Sequence, residues 1–399
     1  MISDAKLNKM ILSDKHNAVI FEKGRRRDVY IVGGYMRDLL RGRHCQDRDY
    51  IVFGDVMALA RKLKNYTGGK IIIFKRGTTT RIATKGGPIF DLSHPQGTLR
   101  EDLSKRDFTI NAIAWSPYEG IIDPFQGIPD INKKCVRVIC DKNMRDDPLR
   151  MLRAYRFAAE LNGVVERSTR KLIKTLYNNI KETASERITL ELFQLLNLKT
   201  SSKYLKMSLD DELLNNIFIN SYKQLEQNIK EISLFEKLTF NKLPPTIKVK
   251  LKETISQNLT YKGFLCLTLL MKKLYTDDKD ACRLKLSRTI QKRMDLIHPR
   301  YDRRLVIGKN FDIYTETKDA LIDLLILKNR LDCHSDYKRY LKIWNKGIIK
   351  SDDIIGYAGN LTGKVIGTII KETRKAEYEG RVRNRTTAIK FIKKLSNSS

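Results

Sequence analysis

The chain has 399 residues, 41% of them hydrophobic and 31% charged, which excludes a disordered chain and leaves room for two or more domains with buried cores. Lys and Arg number 77 against 46 Asp and Glu, a net charge of +31, and so large an excess points to a polyanionic partner. There is no apolar run of 18 residues, no signal peptide and no lipidation motif, so the expected partner is a nucleic acid rather than a membrane, and the expected location is cytoplasmic.

Residues 1–28 read as a helix ending in a basic run, Lys23 to Arg27. Val29 to Val32 is a short apolar run and predicts a buried strand. Gly33 and Gly34 follow, where a strand can turn sharply and a ligand can approach the backbone, and Tyr35–Arg41 reads as a helix. Strand, Gly-Gly and helix start together form a phosphate-binding geometry. Asp49–Phe53 reads as the next strand, and a period of two puts Asp47 and Asp49 on one face of it. Two carboxylates on one strand face are a ready Mg²⁺ site, and beside a phosphate cradle they suggest chemistry on a nucleoside triphosphate.

Further strands are predicted at Lys70–Phe74, Ile89–Leu92, Gly120–Ile122 and Val136–Ile139, with helices at Val56–Lys64 and around Leu99–Ala112. Asp91, at the end of an apolar pair, could add a third carboxylate or serve as a turn residue. From Asp146 onward Leu-, Ile- and Lys-rich helical patterns take over, with Asp147-Pro148 as a helix start and Thr183-x-x-Glu186 as a capping box for a helix near Ala184–Leu196. Pro244-Pro245 and His298-Pro299 read as breaks. The six cysteines show no Cys-x-x-Cys pair and the five histidines no metal-binding spacing, so reduced thiols are expected rather than a disulfide frame or a zinc site.

Three motifs taken together resemble the class II tRNA nucleotidyltransferases (CCA-adding enzymes) and bacterial poly(A) polymerases. They are Gly33-Gly34-x-x-Arg37-Asp38, Asp47-x-Asp49 and Arg106-Asp107-Phe108-Thr109-Ile110-Asn111-Ala112. Ile121-Ile122-Asp123-Pro124-Phe125-Gln126-Gly127 resembles the family's hinge, and Asp146-Asp147-Pro148-Leu149-Arg150 its base-reading helix. Glu186-Arg187-x-x-x-Glu191 resembles its last motif, although a helix salt bridge between Arg187 and Glu191 explains that pair equally well. Lys105 and Asp146 depart mildly from the family's usual Arg and Glu.

The resemblance implies a fold of the α+β class: a polymerase-beta-like head with a mixed sheet over residues 1–140, then an all-α neck over 141–200 and an all-α body and tail over 201–399. It implies transfer of CMP, and of AMP, from CTP and ATP to the 3′ end of tRNA with no nucleic-acid template. Asp47 and Asp49 would hold Mg²⁺ beside Asp91. Gly33, Gly34, Arg37, Arg106 and Asp107 would position triphosphate and ribose. Asp147 and Arg150 would choose the base by hydrogen bonding, with Arg153 and Arg156 on nearly the same helix face. In many relatives a longer loop follows the Asp91 position and helps switch from C to A. The short stretch here puts the A addition in question and makes an enzyme that adds C efficiently and A slowly or not at all an alternative. A poly(A) polymerase and a basic RNA-binding protein without catalysis are the remaining alternatives, the latter disfavoured by intact Asp47 and Asp49.

Overall fold

The computed structural model describes residues 4–22, 27–43, 45, 47–74, 79–95, 97–219, 221–241, 243–256, 258–274, 282–358 and 362–397, so most of the predicted basic run Lys23–Arg27 lies outside it. The chain forms two units. One comprises Met1–Ser233, Gln257–Leu259 and Leu274–Lys285; the other comprises Leu234–Ser256, Thr260–Lys273 and Leu286–Ser399.

The first unit opens with helices α1 (Asp4–Ser13) and α2 (Lys15–Ile20) and is built on seven strands: β1 (Val29–Val32), β2 (Asp47–Val52), β3 (Lys70–Ile73), β4 (Thr79–Ala83), β5 (Ile89–Ser93), β6 (Ala114–Ser116) and β7 (Gly120–Ile122). They pair in the order β3-β4-β5-β2-β1-β6-β7. β2 and β5 run parallel and the other pairs antiparallel, a mixed sheet as expected. Helix α3 (Gly34–Leu40) follows β1, α4 (Val56–Thr67) follows β2, and α5 (Leu99–Ser104) follows β5.

Period-two alternation decides what each sheet face carries. Arg48 and Tyr50 of β2 point toward α2, where the Arg48 guanidinium donates to both oxygens of Asp14 at 2.6 and 2.9 Å and the Tyr50 hydroxyl donates to Asn17 at 2.6 Å. Phe21, Tyr50, Phe90 and Trp115 are buried on this side, Phe21 meeting Trp115 edge-on at 5.2 Å. The opposite face packs Val32, Ile51 and Ala114 against Ala112 and Leu103 of α5. Asp47 and Asp49 belong to this second face, with Ile51.

Two strands of this sheet were not anticipated. β4 is rich in threonine and β6 is three residues long; both are held by pairing on two sides rather than by a local apolar pattern. The helix expected around Leu99–Ala112 stops at Ser104, and Thr109–Asn111 forms a separate 3-10 turn. The strand expected at Val136–Ile139 is β8 (Cys135–Val136), which pairs in parallel with β9 (Val164–Val165).

After α6 (Gly127–Asn132) and α7 (Asp141–Asp146), the long helix α8 (Leu149–Leu161) is followed by α9 (Arg167–Leu176), α10 (Ser185–Asn197) and α11 (Ser201–Asp210). α8 packs between α10 and α11. The capping box expected at Thr183 and Glu186 does not form: the N-cap is Ala184, one residue later, and Glu186 instead accepts from Lys285 at 2.5 Å. The helix break expected at Pro299 lies inside Arg288–Tyr301, two residues before its end, while Pro245 opens Pro245–Lys250.

The second unit is predominantly helical. Two of its buried carboxylates are paired: Asp323 accepts from Arg293 at 2.6 and 2.8 Å, and Asp336 accepts from Tyr378 at 2.6 Å and Tyr314 at 2.9 Å. Among the described residues no helix is long and apolar enough to cross a membrane.

The Arg48–Asp14 pair makes a stability prediction. Burial pushes the Asp14 carboxyl up, but hydrogen bonds from Arg48 and Asn17 outweigh it and hold the group at about 2, below its ordinary 3.8. A depressed carboxyl stabilises the fold fully above its unfolded value and loses that contribution as the pH falls through the folded one. Asp14→Asn keeps a capping acceptor and should cost about 1–2 kcal/mol at neutral pH. In urea unfolding, the gap between variant and wild type should close as the pH drops from 3.8 toward about 2.

Candidate active site

β1 ends at Val32, and Gly33 turns the chain into α3 with φ +72° and ψ −135°. A Cβ at Gly33 would lie 2.6 Å from Arg106 Nη1 and 3.0 Å from Asp49 Oδ2, so both the positive φ and the close approach call for glycine. No side chain caps α3. Its seven residues carry only a modest dipole, so cationic help for an anion must come mostly from side chains.

Asp47 is exposed and Asp49 half-buried, and neither carboxylate makes a hydrogen bond or ion pair with any described residue. Burial pushes the Asp49 carboxyl up; Arg106 opposes this, while Asp91 and Asp47 add to it. The register sets Asp49 beside Asp91 on the parallel neighbour β5. Asp91, however, is held by Arg81, whose Nε and Nη2 each donate at 2.7 Å. Among the described residues no three acidic, histidine or cysteine side chains stand together as a metal-ligand set. A pair of unpartnered carboxylates on one strand face, with charge crowding on the more buried one, still fits a divalent cation.

Asp47 and Asp49 line a cavity of about 390 Å³ together with Gly34, Arg37, Arg106, Asp107, Arg153 and Arg156. Four arginines here face five carboxylates, those of Asp38, Asp47, Asp49, Asp107 and Glu160. Most of the guanidiniums are already engaged. Arg37 donates to Asn111 at 2.7 Å and to Asp38 at 3.0 Å. Arg153 donates to Asp107 at 2.7 and 2.9 Å. Arg156 pairs with Glu191 and Glu160. Arg106 differs: it reaches Asp102 only at 3.7 Å, and its buried Nε has no hydrogen-bond partner.

Buried Asp107 is a hub. Burial acts to raise its carboxyl, but Arg153 and Asn111 hold it below the usual range. The ring of Phe157 on α8 meets the guanidiniums of Arg37, Arg153 and Arg156 at 4.8, 5.1 and 4.0 Å. Arg81, Asn111, Phe157 and Glu191 thus belong to the neighbourhood although they were not among the predicted site residues. Asn111, Phe157 and Glu191 lay within stretches that resemble family motifs; nothing in the local pattern flags Arg81.

The two positions expected to choose the base, Asp147 and Arg150, do not line this cavity. Asp147 sits between α7 and α8 and does not cap α8; one of its oxygens accepts from Arg187 at 2.9 Å, and the other is buried without a partner. Arg150 donates to the carbonyls of Lys105 and Asn143 at 2.9 and 3.1 Å and lines a neighbouring cavity of about 570 Å³. The expected Arg187–Glu191 pair is absent because each residue has a partner on another element. In the hinge motif, Asp123 accepts from the N–H groups of Gly127 and Ile128, and Asp130 from Thr109 and Arg137, so both brace α6.

Residues 29–137 match the model of the poly(A) polymerase head domain, and residues 164–227 that of a probable RNA- and SrmB-binding site of polymerase A. The chain is 27% identical to a CC-adding tRNA nucleotidyltransferase of Synechocystis sp., over 92% of this chain and 94% of that protein. It is 31% identical to a CCA-adding enzyme of Oceanobacillus iheyensis, over 55% of this chain and 60% of that protein. Its fold is similar to that of the Thermotoga maritima CCA-adding enzyme solved in complex with tRNA, with a TM-score of 0.76, 22% identity and coverage of 99% and 98% of the two chains. The seven-stranded head, the motifs on it and the helical region matched beyond it make this chain similar to tRNA nucleotidyltransferases, with a poly(A) polymerase head domain matched at residues 29–137, and it is a nucleotidyltransferase.

Proposed function

We propose that the chain transfers CMP, and then AMP, from CTP and ATP to the 3′ end of tRNA. The observation that carries this reading is the pair of unpartnered carboxylates, Asp47 and Asp49, at a cavity that also holds the under-used guanidinium of Arg106. Asp47 and Asp49 would hold Mg²⁺, which when bound supplies activation of the attacking hydroxyl and neutralisation of the leaving pyrophosphate. Arg106 and the Gly33–Gly34 backbone receive the triphosphate. Arg37 and Arg153 keep Asn111 and Asp107 in place for the ribose. Asp147, with one oxygen unspent, and Arg150 select the base after exchanging their present partners. In this division of labour residues 1–140 perform the chemistry, 141–200 choose the nucleotide, and the basic 201–399 hold tRNA by its phosphates and shape.

A second reading, addition of C alone, draws support from one feature. Only residues 94–98 separate β5 from α5, and Thr98 and Glu101 close a capping box there, so no long lever loop fits between the two elements. The whole-length Synechocystis relative is a CC-adding protein.

Three measurements test these statements. Asp47→Ala and Asp49→Ala should each abolish nucleotide transfer and leave tRNA affinity nearly unchanged; transfer near the wild-type rate in either variant would remove the metal assignment. Asp147→Ala and Arg150→Ala should weaken discrimination among the four nucleotides by about 1–3 kcal/mol, read as ratios of kcat/KM. If they lower thermal stability and leave CTP and ATP preference intact, both residues are structural. Single-turnover addition to tRNA ending in its discriminator base, and to tRNA ending in CC, separates the two product readings: rapid AMP incorporation on the second substrate eliminates the C-only enzyme.

A further inference from the structure

The sheet edge beside the carboxylates carries a feature that nucleotide binding does not use. Residues facing each other across neighbouring strands share a sheet face. The register aligns Asp49 with Asp91, Asp91 with Arg81, and Arg81 with Ile72, so these four form one row from the carboxylate pair to the edge strand β3. Phe74 follows Ile72 by two residues, and its ring lies 5.3 Å from the Arg81 guanidinium carbon. Ile72 is 46% exposed and Phe74 43%, and Arg81 is itself open to solvent. An exposed aliphatic and aromatic pair beside an accessible guanidinium offers a nucleobase a stacking surface and its phosphate a cation. Arg81 is meanwhile committed to both oxygens of Asp91, the one carboxylate in the row that lacks a free oxygen for a cation.

We propose that Ile72, Phe74 and Arg81 form the seat of the 3′-terminal nucleotide of the acceptor RNA, and that Arg81 gates Asp91. This rests on the nucleotidyl transfer proposed above. Without RNA, Arg81 keeps Asp91 off the metal. When the RNA end settles on Phe74 and Ile72, its phosphate takes over the Arg81 guanidinium, and Asp91 turns to join Asp47 and Asp49. The third carboxylate is delivered only when an acceptor is present, which limits idle hydrolysis of the nucleotide. Arg81 is therefore a positioning residue, acting through Asp91.

The test is Mn²⁺ titration of the full chain by electron paramagnetic resonance, with and without tRNA lacking its terminal nucleotides, together with steady-state kinetics. Adding the truncated tRNA should tighten Mn²⁺ binding to wild type. Arg81→Gln should bind Mn²⁺ about tenfold tighter than wild type in the absence of RNA, the low end of what a partner of a ligating carboxylate is worth. RNA should no longer change that affinity, and KM should rise for RNA but not for CTP. Phe74→Ala should raise the RNA KM about fivefold, the low end of a lost stacking contact, with Phe74→Tyr restoring it. Should Arg81→Gln fail to fold by circular dichroism, Arg81→Lys takes its place, because it keeps the charge and loses the bidentate grip. Mn²⁺ affinity in the folded Arg81 variant equal to or weaker than wild type overturns the gate, and an unchanged RNA KM in Phe74→Ala overturns the seat. If wild type binds no Mn²⁺ that Asp49→Asn abolishes, the metal reading itself falls, a result distinct from the other two.

Discussion

The alternation of side chains along β2 is the constraint on which the rest of the first unit depends. Arg48 and Tyr50 are drawn to one side by Asp14 and Asn17, and this holds Asp47 and Asp49 on the other. A slip of one residue would send two carboxylates into the packing around Phe21 and Phe90 and bring Arg48 out of it. Arg48 is 4% exposed and its ion pair with Asp14 is local to this face, so the cost of a slip falls on a buried charge rather than on the exposed end of the strand. Helix α2 and its N-cap Asp14 thereby set the orientation of carboxylates on the opposite sheet face.

On the carboxylate side the main resource is arginine, and most of it is already spent. Arg37, Arg153 and Arg156 surround Phe157, and each has an acceptor within the protein. This fixes the position of α8 against the sheet: the Arg153–Asp107 pair joins the helix to the segment after α5, and Gly163, whose added Cβ would lie 1.8 Å from the Lys134 carbonyl, lets β9 close on β8. With five carboxylates lining the cavity against four guanidiniums, a triphosphate would meet no net excess of protein cation there. That balance is consistent with a site meant to work with bound divalent cations, and it leaves Arg106 as the guanidinium with donors to offer.

Asp147 and Arg150, proposed above to select the base, are placed differently. Arg150 is occupied by backbone carbonyls and Asp147 by Arg187, and all of these contacts are partly or wholly open to exchange. One buried oxygen of Asp147 without a partner marks unspent hydrogen-bonding capacity, and buried polar atoms of this kind are uncommon unless they serve a ligand or a strain.

Much of this was legible in the sequence because it depends on neighbours in the chain. Val29–Val32 is a hydrophobic run and became the interior strand β1; Gly33 must be glycine because of its own φ; and Asp47 and Asp49 share a face because a strand repeats every two residues. What the tertiary structure alone decided are pairings between distant segments. Arg187 and Glu191 are four apart on one helix, yet each is claimed by a residue some 35 to 40 positions away, Glu191 by Arg156 and Arg187 by Asp147. Thr183 and Glu186 have the spacing of a capping box, but the helix starts one residue later and Lys285 takes the glutamate. Arg81 bears no local sign of importance, and only the register of β4 with β5 sets it against Asp91. Spacing along the chain determines which face a side chain takes, whereas the partner of a charge is determined by whichever opposite charge the fold brings nearest.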